Sequence, residues 1–139
     1  MRIEGACHCG AVRFEGEVNP DTVSVCHCAD CQILSGAPFR ASVPVKAENF
    51  TITQGAPKPY VKVADSGNRR RMGYCADCGT QIYSTDDVAE PKAYMLRVGT
   101  IAERDRLVPK KQIWCQSAQP WAQDMTGLES YVQGAPAKK

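Results

Sequence analysis

Eight cysteines stand out in this 139-residue chain, and their spacing decides what chemistry they can do. They fall as Cys7-x-Cys9, Cys26-x-Cys28-x-x-Cys31 and Cys75-x-x-Cys78, with Cys115 alone. Close-set pairs of this kind are poor disulfide partners for one another. In a reducing compartment, clustered thiols more often bind metal or react. Zinc takes four protein ligands in a closed structural site, but three in a reactive one, where the last position is left to water or substrate. Seven clustered thiols divide naturally as four plus three.

Cys7 and Cys9 are followed by Gly10, and Cys75 and Cys78 by Gly79. A turn that wraps its backbone around a metal-bound sulfur needs a residue without a Cβ near that point. Two such turns would each give two thiolates to one tetrahedral structural zinc and would join the first residues to the middle of the chain. The central group offers three ligands within six residues, enough to hold three corners of a tetrahedron with one face uncovered. His27 or His8 could close it, but His27 lies between two ligating neighbours, and in extended backbone its side chain points the other way. Two closed zinc sites, or one site with buried thiols, remain the structural alternative. Cys115 has no partner and is expected to be a small buried hydrophobe.

The elements that must position these thiols read mainly as short strands. The segment 11–18 (AVRFEGEV) alternates and ends in the turn residues Asn19-Pro20-Asp21. Residues 39–45 carry Pro44, which suits an edge or a strand end. Further strands are expected at 50–53, 60–64, 80–84 and 93–98, with loops at 55–59 and 65–68. Helical turns are expected at 29–34, stopped by Ser35-Gly36. Arg69-Arg70-Arg71 is the concentrated charge run, either a solvated strand or an anion-binding edge for substrate carboxylates. Trp114 and Trp121 are expected to pack in the core, with a pocket lining as the alternative. No repeat or internal boundary interrupts 1–133, which reads as one domain, and 134–139 reads as a frayed tail. Many short strands with regular turns indicate a small, mainly β, antiparallel-sheet domain.

Composition sets the outer limits. Lys and Arg number 17 and Asp and Glu 15, a formal charge of +2 that excludes a strongly basic nucleic-acid binder. Two zinc ions would add four charges and seven thiolates remove seven, leaving the protein nearly neutral. No apolar run is long enough to cross a membrane. The first residues, MRIEGACHCGAVRF, lack the apolar stretch of a signal peptide, so a cytoplasmic location is expected. Zinc held by three thiolates favours further sulfur, so a small thiol is the expected ligand.

The motifs GACHCGAVRF (5–14), CHCADCQILSGAPF (26–39), YCADCGT (74–80), LRVGTI (96–101) and PKKQIW (109–114, running on to Trp121) together resemble the glutathione-dependent formaldehyde-activating enzyme family, also called Gfa or centromere-protein-V-like. The resemblance implies a mostly β, Mss4-like fold and two zinc ions per chain. It places a structural zinc on Cys7, Cys9, Cys75 and Cys78, and a catalytic zinc on Cys26, Cys28 and Cys31. The implied reaction joins glutathione to formaldehyde as S-hydroxymethylglutathione, and its reverse is a carbon–sulfur lyase step. His27, Gln32 and Ser35 are candidates to orient substrate or relay a proton, against a reading as turn and helix-cap groups. Relatives commonly carry an arginine two places before the aromatic of the aromatic–cysteine pair, where this chain has Met72. Arg70 or Arg71 is the candidate to bind glutathione in its stead. The competing functions are a non-catalytic zinc-stabilised protein-binding module and a thiol redox switch that releases zinc on oxidation.

Overall fold

Alternating apolar and polar residues along ten strands place two sheets against each other. The computed structural model describes residues 1–137. The end of the tail expected at 134–139 therefore lies outside the described residues, and 134–137 are irregular and exposed. The strands are β1 (Arg2–Ala6), β2 (Arg13–Glu17), β3 (Ser24–Cys26), β4 (Arg40–Lys46), β5 (Phe50–Gln54), β6 (Lys58–Val63), β7 (Arg69–Tyr74), β8 (Gln81–Asp86), β9 (Ala93–Arg97) and β10 (Lys111–Ile113). A short α1 (Ala29–Ser35) follows β3, and Gly36 ends it in the left-handed conformation at φ +65°. Among the described residues no helix is long and apolar enough to cross a membrane.

The smaller sheet has the order β1-β2-β5 and the larger β10-β3-β4-β9-β8-β7-β6. The fold is mainly β, with antiparallel pairing throughout except between β10 and β3, which run parallel. Between the sheets lie Ile3 and Phe14 from one and Val43, Val45 and Leu96 from the other, each at most 2% exposed. Phe50 bridges the layers, its ring centroid 5.8 Å from Phe14 and 4.9 Å from Tyr94.

Strand alternation makes the two faces of the larger sheet chemically different. In β4, Val43 and Val45 enter the core, while Arg40 and Ser42 line a cavity on the other face. In β9, Leu96 is core while Met95 and Arg97 line that cavity, and β7 and β8 add Arg70, Met72 and Ser84. The register aligns these residues in rows: Ser24 opposite Ser42 opposite Arg97, and Met95 opposite Ser84 opposite Met72. The large sheet thus has an apolar face for folding and a polar face free for chemistry.

Several expectations need correction. Pro44 lies inside the sheet, opposite Met95, not on an edge strand. It is tolerated because β3 pairs only with Arg40, Ala41 and Ser42, leaving β4 locally unpaired beside Pro44. The loop expected at 55–59 yields to β6 from Lys58. The arginine run is no edge, since β6 and β8 flank β7. Trp114 and Trp121 are 57% and 56% exposed, so neither packs in the core. Cys115 is likewise exposed. These three residues belong to an exposed C-terminal segment held to α1 through Gln32, where apolar character does not imply burial.

Candidate metal centres

The first centre is made by two turns far apart in sequence. Cys7, Cys9, Cys75 and Cys78 bring four sulfurs within 4.8 Å of one another. Cys7 and Cys9 sulfurs are 3.6 Å apart, and Cys9 and Cys75 sulfurs 3.8 Å. A tetrahedral ion with Zn–S bonds of about 2.3 Å would place sulfurs about 3.8 Å apart, so the donor set fits zinc. Gly10 and Gly79 adopt φ of +81° and +79°, which lets each turn fold back on its sulfurs. Thr80 joins the turns: its Oγ1 accepts the His8 N–H at 3.1 Å and lies 3.2 Å from Cys78 Sγ. That hydroxyl is the chief reason the Cys78 thiol is pulled down to about 5.

The second centre is local. Cys26 ends β3, Cys28 is the N-cap of α1, and Cys31 sits in its first turn. Cys28 Sγ accepts the Cys31 N–H at 3.3 Å, so a single cap fixes both the start of the helix and the spacing of two sulfurs. The three sulfurs lie within 4.8 Å of one another. Among the described residues no histidine, further cysteine or carboxylate joins that group. Burial pushes the Cys31 thiol up to about 12, against the pull of Arg40. Burial also raises Cys28, but the Cys31 N–H, the neighbouring thiols and Lys62 outweigh it and the net shift is downward.

Beside this triplet lies a cavity of about 170 Å³ lined by Cys26 and Cys31 and by four basic side chains, Arg40, Lys62, Arg70 and Arg97. Lys62 is paired with Asp30 at 2.7 Å and Arg70 with Asp86 at 2.6 Å. Arg97 is 7% exposed and its guanidinium is lowered to about 9, first by burial and then by repulsion from Arg40. Sequence reasoning missed Arg40, Lys62 and Arg97. The available signal was a charged or polar residue at alternate positions of a strand, as Arg40 and Ser42 in Arg40-Ala41-Ser42-Val43.

The other candidate residues divide clearly. His27 is 2% exposed and faces away from the sulfurs, with Nε2 2.9 Å from Gln112 Oε1 and its ring edge-on to Phe39. Gln32 Nε2 donates to the carbonyls of His27 and Ser117, at 2.8 and 3.0 Å. Ser35 Oγ donates to the Cys31 carbonyl at 2.6 Å. Gln32 and Ser35 therefore tie the triplet turn to the C-terminal segment and close the helix. Arg70 reaches the cavity. Arg71, its neighbour, belongs to the opposite face, where it donates to the Val88 carbonyl at 3.1 Å.

Fold and centres together define a mainly β protein with two cysteine sites able to hold metal ions. Its sequence matches the model of the glutathione-dependent formaldehyde-activating enzyme family over residues 2–117, and the chain belongs to that family. Among solved structures it is similar to a crystal structure of a Rhodobacter sphaeroides protein. The TM-score is 0.59 at 19% identity, covering 78% of this chain and 98% of that one. At that identity the likeness speaks for the fold alone.

Proposed function

We propose that this chain is a zinc-dependent carbon–sulfur lyase of the S-hydroxymethylglutathione type. Cys7, Cys9, Cys75 and Cys78 hold a structural zinc, and Cys26, Cys28 and Cys31 hold a second, catalytic one. When bound to the triplet, zinc supplies Lewis acidity and keeps a coordinating thiol deprotonated near neutral pH. In the synthetic direction the glutathione sulfur bonds to the formaldehyde carbon, the carbonyl π electrons move to oxygen, and the thiol proton ends there. The reverse reaction breaks the same carbon–sulfur bond.

The chain's own residues do the positioning. Gln32 and Ser35 hold the triplet turn in register through backbone carbonyls. His27 packs beneath it, tied to Gln112. Arg70 helps hold the tripeptide from the cavity wall. Seven thiols that must stay reduced fit a cytoplasmic site. The observation that carries this reading is a group of three thiols, two of them lining a cavity walled by cations, in a chain of this family.

The test is zinc content together with exchange NMR of ¹³C-formaldehyde and glutathione. Two zinc ions per chain and protein-accelerated interconversion are expected. Cys28→Ser should lose one zinc and the acceleration while staying folded. Two zinc ions with no acceleration would refute the reading. That result would favour a zinc-stabilised, Mss4-like protein-binding module. The exposed Ile33 and Trp121, which line a groove of about 410 Å³ beside α1, are the feature that speaks for this alternative.

A further inference from the structure

Arg97 presents an unusual arrangement for a buried cation. Its Nη1 donates to Ser42 Oγ at 3.0 Å and to the Met95 carbonyl at 3.2 Å. Its Nε and Nη2 are buried with no hydrogen-bond partner. Those two nitrogens form the edge of the guanidinium that binds a carboxylate side-on through two parallel N–H···O bonds. Leaving such donors buried and unsatisfied is costly, so the edge calls for a ligand.

Charge points the same way. Of the four cations around the cavity, Lys62 and Arg70 already have carboxylate partners. Among the described residues Arg40 and Arg97 pair with none; the Arg40 guanidinium donates to the Met72 sulfur at 3.9 Å. Zinc with three thiolates would carry one negative charge, which leaves one of these two positive charges unbalanced. Before any substrate thiolate joins the zinc, a single further anion would make the site neutral.

We propose that the cavity beside Cys26 and Cys31 is a carboxylate-binding site built on Arg97 and Arg40, so that the substrate meeting the triplet carries a carboxylate close to its reacting atom. The inference deepens the lyase reading above and rests on it for the word substrate, though not for the anion site itself. At about 170 Å³ the cavity takes a small acid, or one acidic end of a larger thiol. Arg40 and Arg97 also line an adjoining space of about 420 Å³, with Leu34, Phe39 and Gln81, which can receive the rest of a longer ligand.

The experiment follows the Arg97 Nε–H resonance in the zinc-loaded protein. Acetate is the probe, and acetamide, of the same shape without the charge, is the control. Acetate should shift the signal saturably and acetamide should not. Arg71→Met, on the other face, should leave the response intact. Arg40→Met keeps the Arg97 reporter and should weaken acetate binding at least tenfold. Absence of a saturable acetate shift in the wild-type protein overturns the proposal.

A second measurement uses the Co²⁺-loaded protein and its thiolate-to-cobalt absorption. 3-Mercaptopropionate should bind at least tenfold more tightly than 2-mercaptoethanol if the thiol partner brings the carboxylate. Competition by glyoxylate instead assigns the carboxylate to the carbonyl partner. Acetate seating on Arg97 while no thiol perturbs the cobalt spectrum leaves the anion site standing and removes the lyase reading. Equal binding of both thiols with no acetate shift does the reverse.

Discussion

The two cysteine groups should differ most sharply in what their loss does to stability. Cys9 and Cys75 are 66 residues apart, so an ion shared between them closes a long loop in the unfolded chain. Treating the clip as a cross-link, loop-closure entropy gives about 4 kcal/mol of stabilisation at 25 °C. Cys26 and Cys31 enclose a loop of only six residues. The same relation gives about 2 kcal/mol there. The variants Cys9→Ser/Cys78→Ser and Cys26→Ser/Cys28→Ser test this while sparing the buried Cys7, Cys75 and Cys31. For a domain of this length 1 kcal/mol is worth roughly 3–5 °C in Tm. The first pair should therefore lower Tm by roughly 12–20 °C and the second by about half as much. Each should lose one zinc, read by plasma emission on the same samples used for calorimetry. Equal drops, or a larger one for the triplet pair, would show that the local group is the staple and refute the division.

Three further outcomes follow. Gly79→Ala places a Cβ in open space but at φ +79°, so its cost is conformational alone, about 1–2 kcal/mol by urea unfolding. Arg70→Met should weaken glutathione binding about tenfold by calorimetry, the scale of one charge-assisted hydrogen bond, whereas Arg71→Met should leave it unchanged. Thr80→Val removes the hydroxyl that holds Cys78 low, so its thiol keeps a proton to higher pH and competes better with metal. Metal release on acidification, followed by cobalt absorption, should then begin at a higher pH than in the wild type.

Both cysteine groups are legible in the sequence because their members lie in close-set pairs and a close-set triplet. Cys26, Cys28 and Cys31 need only a strand end and one helical turn, and Ser35-Gly36 marks where that turn stops. The pairing of the Cys7 and Cys75 turns is long-range, yet the glycine after each pair reveals that they have the same shape. The cation cluster was not legible, because Arg40, Lys62, Arg70 and Arg97 come from four strands whose order is set by tertiary pairing. Arg69-Arg70-Arg71 looks like one unit in sequence, but strand alternation sends Arg70 to the cavity and Arg71 away from it. The exposed Trp114 and Trp121 misled for the opposite reason, since aromatic residues are common in cores and nothing local marks a segment that lies outside one.

The two functional readings make different demands on the outer face of the large sheet, and its residues favour one of them. A surface built to dock a protein is depleted of charge at its centre and enriched in aromatic side chains. This face has Arg40, Lys62, Arg70 and Arg97 around the triplet, with Ser24, Ser42 and Ser84 between them. Of the large exposed apolar residues, Ile113 lines this cavity and Tyr60 sits opposite Met72, whereas Ile33, Trp114 and Trp121 lie on α1 and the C-terminal segment. Concentrated positive charge within a small cavity strengthens electrostatic attraction for a small anion, because the walls exclude water. At Cys31, which lines the same space, Arg40 pulls against the burial that raises the thiol. A face that sets several cations beside a group of three sulfurs is better suited to a reaction with a small anion than to adhesion.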